Sequence, residues 1–237
     1  MTDRSVAKVP GGTGSVGRHL IPMLLERDFN VACTYLVPDE ATVLEVVVEL
    51  DEDRLILRRV DCTDADAVND FFDEAVGAFG PINVMASLVG GWAGGRDVAE
   101  TSDVRLDRMI DLNLRTAWNA ARAAIPHMSE DWGRIVLMGS KHALDSPAGQ
   151  AAYNVAKAGV HALAKSIAIE LLDTNTTCNA LTPSVINTDA TRAALPYADY
   201  VNWPKPAEIA DVIAFIASEK SKVINGAFLP VWGSAVI

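Results

Sequence analysis

The chain has 237 residues, half of them hydrophobic, and carries 31 acidic against 20 basic side chains, for a net charge of −11 at pH 7. That hydrophobic share supports a large core and argues against a disordered chain. The acidic excess, with no basic run of five or more residues, argues against a nucleic-acid or anionic-membrane partner.

A strand is expected over 6–9, followed by Pro10-Gly11-Gly12-Thr13-Gly14-Ser15-Val16-Gly17 and a helix over 17–28. Gly12-x-Gly14-x-x-Gly17 is a GxGxxG between a first strand and a first helix. There glycine permits a tight turn and close backbone approach to a pyrophosphate, held at the helix N-terminus. The second strand, 30–35, ends Cys33-Thr34-Tyr35-Leu36. It has no carboxylate of the kind that holds an NAD ribose roughly 20 residues past the glycines; Asp39 and Glu40 lie further on. This leans the cofactor toward NADP, with Arg18 the one cation near enough to consider for its phosphate. A helix over 41–50 and a strand over 55–60 lead to Asp61-Cys62-Thr63-Asp64. Asp61 can be read as an acceptor for an adenine amino group, or as part of a turn in which Thr63 or Asp64 caps the next helix.

A helix over 65–79 and a strand over 82–89 follow, ending Val89-Gly90 before Gly91-Trp92-Ala93-Gly94-Gly95. Trp92 could stack on a flat heterocycle, or simply wedge between glycine turns. A long helix over 102–128 holds Asn113. A strand over 134–139 delivers Ser140 to its carboxyl end, where open α/β sheets bind ligands, with His142 nearby. The next helix, 149–172, carries Tyr153 and Lys157 one turn apart on the same face. A strand over 177–181, an irregular segment over 184–205 suited to a lid, a helix over 207–218 and a strand over 227–231 complete the series. Alternation of this kind implies one α/β domain over 1–237: a Rossmann-type, doubly wound parallel sheet of about seven strands with helices on both faces.

The ordered set of glycine turn, Asn113, Ser140, Tyr153 and Lys157, with its Ser-x12-Tyr-x3-Lys spacing, resembles the short-chain dehydrogenase/reductase family over essentially the whole chain. The resemblance implies an NAD(P)(H)-dependent oxidoreductase that interconverts a carbonyl (or C=N) and its reduced form. It implies that Tyr153 is the general acid/base, Ser140 orients the carbonyl, and Lys157 binds the nicotinamide ribose and lowers the Tyr153 pKa. Asn113 would hold a relay water. Gly11, Gly12, Thr13, Gly14, Ser15, Val16 and Gly17 would hold the pyrophosphate. Tyr35, Asp61, Cys62, Val89 and Gly90 would line the adenosine side, and Pro183, Ile186 and Thr188 the nicotinamide carboxamide. Pro10 stands where the family has Thr, and Ser15 where its shorter members have Gly.

The strings around Trp92, Ser140 and His142 are further similar to those of quinonoid dihydropteridine reductases within this superfamily, which suggests a pterin-like substrate as an alternative to a simple carbonyl. A non-catalytic dinucleotide-binding sensor is the other alternative; such proteins typically lose the tyrosine or lysine kept here. The family also implies a homodimer or homotetramer. The four histidines show no metal spacing, so no metal is expected. Cys33, Cys62 and Cys178 are odd in number and contain no Cys-x-x-Cys, which fits reduced thiols. The N-terminal MTDRSVAKVPGG lacks the apolar core of a signal peptide, and no run of about 18 apolar residues occurs. These features suggest a cytoplasmic protein.

Overall fold

The computed structural model describes residues 4–47 and 53–234. Seven parallel strands form one sheet in the order β3-β2-β1-β4-β5-β6-β7. They are β1 (Val6–Val9), β2 (Asn30–Tyr35), β3 (Leu55–Arg59), β4 (Val84–Ser87), β5 (Gly133–Met138), β6 (Thr176–Pro183) and β7 (Phe228–Val231). Four-residue β1 is buried throughout. That is expected of a central parallel strand with helices over both faces. The order reverses at β1, between its neighbours β2 and β4, which places a topological switch point at the β1 carboxyl end.

Helices α1 (Gly17–Glu26) and α9 (Pro206–Ile216) cover one face through Leu20, Ile21, Leu24, Ile209 and Ile213. Helices α3 (Ala65–Phe79), α5 (Thr116–Ala124) and α7 (Ala151–Glu170) cover the other through Phe71, Phe72, Ala120, Val160 and Ala164. The start of α3 is written in its first residues. The Asp64 carboxylate accepts from the amides of Asp66 and Ala67 at 3.0 and 3.2 Å, satisfying two orphan donors. Its buried residues Val68, Phe71, Phe72 and Ala75 repeat at helical spacing.

The structure revises several expected boundaries. The helix expected over 41–50 is α2 (Pro38–Val47); it begins earlier at Pro38, and residues 48–50 lie outside the described residues. The helix expected over 102–128 is α4 (Asp103–Ile110), a π-helical turn (Asp111–Arg115), α5 and a 3-10 turn at Ile125–His127. Strand β6 runs longer than expected, to Pro183. The segment expected to be irregular contains α8 (Asp189–Ala194), capped by Thr188. A short helix, α6 (His142–Asp145), follows β5.

Candidate active site

The glycine turn closes with Gly12 N–H on the Val9 carbonyl at 3.0 Å and Gly14 N–H on the Gly11 carbonyl at 3.2 Å. Gly11 adopts φ +75°, and a Cβ there would fall 2.9 Å from the Val89 side chain. A Cβ on Gly17 would fall 2.2 Å from the Gly12 carbonyl oxygen. Both positions therefore need glycine. Ser15 and Val16 lead directly into α1, whose first turn holds no acidic residue, so its positive end is left without an intrahelical counter-charge. Gly11 N–H donates to Thr34 Oγ1 at 2.9 Å, so β2 brings a hydroxyl to the turn where Pro10 has none.

A groove of about 230 Å³ runs from Gly11 and Thr13 past Tyr35 and Asp61 to Val89 and Gly90. Cys62 lines it beside Thr34, its Sγ 3.6 Å from the Thr34 hydroxyl, and burial pushes the thiol pKa up. Asp61 Oδ1 accepts from the Thr63 amide and hydroxyl at 2.9 and 2.7 Å, while Asp64 caps α3. The turn role of this segment is thus present, and it leaves Oδ2 of Asp61 open to a ligand. Glu40, on the first turn of α2, also lines the groove, and its carboxylate accepts from Thr13 Oγ1 at 3.2 Å. The carboxylate absent from the end of β2 thus enters the groove five residues later. A turn with no room for a Cβ at Gly11, Gly12 or Gly17, a helix N-terminus without an acidic first turn and this open groove fit the adenosine and pyrophosphate part of a dinucleotide.

At the β4 and β5 ends, α7 presents two side-chain rows. Ala152, Ala156, Val160 and Ala164 are buried in the core, and Tyr153, Lys157 and His161 form the adjacent row. Lys157 Nζ donates to the Met138 carbonyl at 2.7 Å and lies 6.0 Å from the Tyr153 ring centroid. A Cβ built on Gly90 would stand 3.2 Å from Lys157 Nζ and 3.0 Å from Asn113 Oδ1, so these three residues converge at one end of the groove. Burial pulls the Lys157 ammonium down to about 8. Burial also raises the Tyr153 phenol above its ordinary value, opposed by a hydrogen bond with Ser140. In the protein by itself, desolvation of the phenol dominates.

Asn113 sits in the π-helical turn, a local irregularity frequent at functional sites. Its Oδ1 accepts from Gly91 N–H at 3.1 Å, and its Nδ2 donates to the Gly91 and Met109 carbonyls, both at 3.0 Å. These bonds clamp the loop that follows Gly90 and leave Oδ1 a second lone pair. Thr188 also has a structural role. Its hydroxyl accepts from the Thr191 amide at 3.1 Å, in a capping box at the head of α8. The Ile186 carbonyl accepts from Thr188 N–H, and the Pro183 carbonyl from Lys141 N–H, both at 2.9 Å.

Trp92 is 49% exposed, with its ring over Gly94 and its indole N–H donating to Gln150 Oε1. His142 N–H donates to Ser140 Oγ at 3.2 Å, and its ring stands edge-on to Tyr153, 6.3 Å between centroids. Sequence reasoning set aside His161, yet its Nε2 accepts a long 3.4 Å hydrogen bond from Ser140 N–H, and its ring stacks on Phe228. Burial, reinforced by Lys157, holds His161 down at about 4, so it stays neutral. Its place four residues past Lys157 was the available signal. Gln150 had no such signal, since its partner Trp92 is 58 residues away. Among the described residues no group of three His, Cys, Asp or Glu side chains could hold a metal ion.

The sequence model of a family described as Enoyl-(Acyl carrier protein) reductase matches residues 11–233. The chain is 36% identical over 182 residues to the 3-oxoacyl-(acyl-carrier-protein) reductase MabA of Mycobacterium tuberculosis, covering 73% of each protein. It is 31% identical over 240 residues to the 3-oxoacyl-(acyl-carrier-protein) reductase FabG of Staphylococcus aureus, covering 96% of each. A short-chain dehydrogenase/reductase from Serratia marcescens superposes with a TM-score of 0.89 at 29% identity, over 98% of both chains. With the parallel sheet, the glycine cradle and the convergent tyrosine and lysine, these matches make the chain a member of the short-chain dehydrogenase/reductase family and an NAD(P)(H)-dependent oxidoreductase.

Proposed function

We propose that the chain reduces a small carbonyl compound at the Ser140–Tyr153–Lys157 edge, with Tyr153 as the proton donor. One observation supports this reading: a partly buried phenol, on the same helical face as a buried ammonium and with Ser140 lowering its pKa, stands near the end of the groove that begins at the glycine turn. The nicotinamide dinucleotide, when bound, supplies the hydride. The raised phenol pKa keeps Tyr153 protonated at pH 7, which suits it to give a proton to the developing alkoxide rather than to take one. Ser140 Oγ, which already accepts from His142 N–H, keeps its own hydrogen for the carbonyl oxygen or the phenol. Lys157, anchored on the Met138 carbonyl, binds the nicotinamide ribose, and Asn113 holds the Gly90–Gly91 backbone at that end of the groove. The glycine turn takes the pyrophosphate, Asp61 Oδ2 the adenine amino group, and Pro183, Ile186 and Thr188 flank the nicotinamide.

The relatives' names favour 3-oxoacyl thioesters as the first substrate class to test. The half-exposed Trp92 near Ser140 and Tyr153 keeps a flat pterin as the second. Segment 184–205, with its short α8, serves as the substrate lid of a single domain. The exposed Val98, Val104 and Val155 around α4 and α7 suit a face between subunits of a homodimer or homotetramer. Among the described residues no helix is long and apolar enough to cross a membrane; with three free, buried cysteines, the setting we infer is the cytoplasm.

Purified protein should consume NADH or NADPH with acetoacetyl-CoA or a simple ketone. Quinonoid dihydropterin in parallel separates the pterin reading. Dinucleotide binding with no turnover of any carbonyl would overturn the reductase assignment in favour of a sensor.

A further inference from the structure

Beside Ser140 lies a hydrogen-bonded chain that proton donation by Tyr153 does not use. Trp92 Nε1 donates to Gln150 Oε1, and Gln150 Nε2 lies 3.1 Å from His142 Nδ1. An indole N–H can only donate. It therefore fixes the Gln150 amide with its oxygen toward Trp92 and its nitrogen toward His142. That nitrogen has only hydrogens to offer, so His142 Nδ1 must accept. The neutral ring then carries its proton on Nε2.

His142 Nε2 makes no hydrogen bond among the described residues and is not sealed away from solvent. The ring stands edge-on to Tyr153, and its backbone N–H is on Ser140 Oγ. A donor of fixed tautomer thus flanks the proposed reacting pair, with nothing among the described residues to satisfy it.

We propose that the Trp92–Gln150–His142 relay fixes His142 as an Nε2–H donor to a second acceptor on the substrate, so that the chain favours carbonyl compounds bearing another carbonyl beside the reacting one. This rests on the carbonyl-reductase reading. The neutral ring suits an ester, thioester or ketone oxygen. Burial lowers the His142 pKa, with Lys141 acting in the same sense and Asp145 against it, which keeps the ring neutral at pH 7.

Two measurements test it. In the first, ¹⁵N-histidine spectra of the wild-type protein should show His142 protonated on Nε2. Gln150→Glu offers Nδ1 only an acceptor, so it should move a proton onto Nδ1. An Nδ1–H tautomer in the wild type would overturn the relay. In the second, kcat/KM is measured for ethyl acetoacetate and for 2-hexanone, which lacks the second acceptor. The ratio of the two should fall about tenfold in His142→Phe, the worth of one neutral hydrogen bond. It should stay within about threefold of wild type in His142→Gln, whose amide nitrogen replaces the Nε2 donor. An unchanged ratio in His142→Phe would overturn the specificity role. Failure of the wild type to reduce either compound would overturn the carbonyl reading, and the substrate role of His142 with it. A wrong tautomer would overturn the relay alone.

Discussion

The Lys157 ammonium is buried, bonded to the Met138 carbonyl and pulled down to about 8 by desolvation. It is charged below that pH and neutral above it. Tyr153 shifts the other way and stays protonated through the same range. The kcat/KM for carbonyl reduction should therefore fall as pH rises through about 8, from loss of the lysine charge rather than of the phenol proton. A pH–rate profile checks this, and a flat profile to pH 10 would oppose it. Glu40 is the second residue with a measurable role. Its carboxylate in the groove beside Thr13 is placed to accept a ribose hydroxyl and to repel a 2′-phosphate. Glu40→Gln should shift the ratio of NADPH to NADH affinity toward NADPH by about tenfold, read by fluorescence titration of both cofactors. In the sequence, Glu40 reads only as lying beyond the bare end of β2; its approach to Thr13 depends on where the start of α2 lands, a tertiary contact that no local spacing reports.

Strand β1 contains an unusual guest. Lys8 is 0% exposed, its Nζ makes no hydrogen bond among the described residues, and it lies 6.0 Å from the Phe79 ring centroid. Burial pulls it from 10.5 down to about 7, against a nearby Glu74. The unfolded chain holds this proton to higher pH than the folded one does. Lys8 therefore costs most stability below about 7, and the cost is relieved as pH rises toward 10.5. Lys8→Met should stabilise the fold by about 2 kcal/mol at pH 6 and by less at pH 9, measured by urea unfolding at both values. The other elements show what periodicity can carry. Strands β1 and β2 and helix α3 match their expected spans, because each is a clean apolar run or face bounded by Asn30, Asp64 or Gly80. Ser140, Tyr153 and Lys157 were legible because a strand end and one helical turn fix their relation. The break at Asn113 was not, since a π-helical turn needs no Gly or Pro to mark it. Nor were the Thr188 cap and the Trp92–Gln150 bond, which depend on where loops land.

For the molecule as a whole, a net charge of −11 sets the folded state against its own field. Raising NaCl from about 0.05 M to 1 M should screen that repulsion and stabilise the fold by roughly 1–2 kcal/mol, seen as a higher urea midpoint. The proposed site residues lie at the carboxyl edge of the parallel sheet, on both sides of the β1 switch point. The proposed dinucleotide would run there from the glycine turn to the α7 row. The chemistry proposed for that edge depends on Tyr153 as its proton donor. Comparing Tyr153→Phe with the wild type, by steady-state reduction of a carbonyl substrate and fluorescence titration of the cofactor, tests this most directly. The expected result is a loss of about a thousandfold in turnover with cofactor affinity unchanged within twofold. Turnover within tenfold of wild type would contradict it.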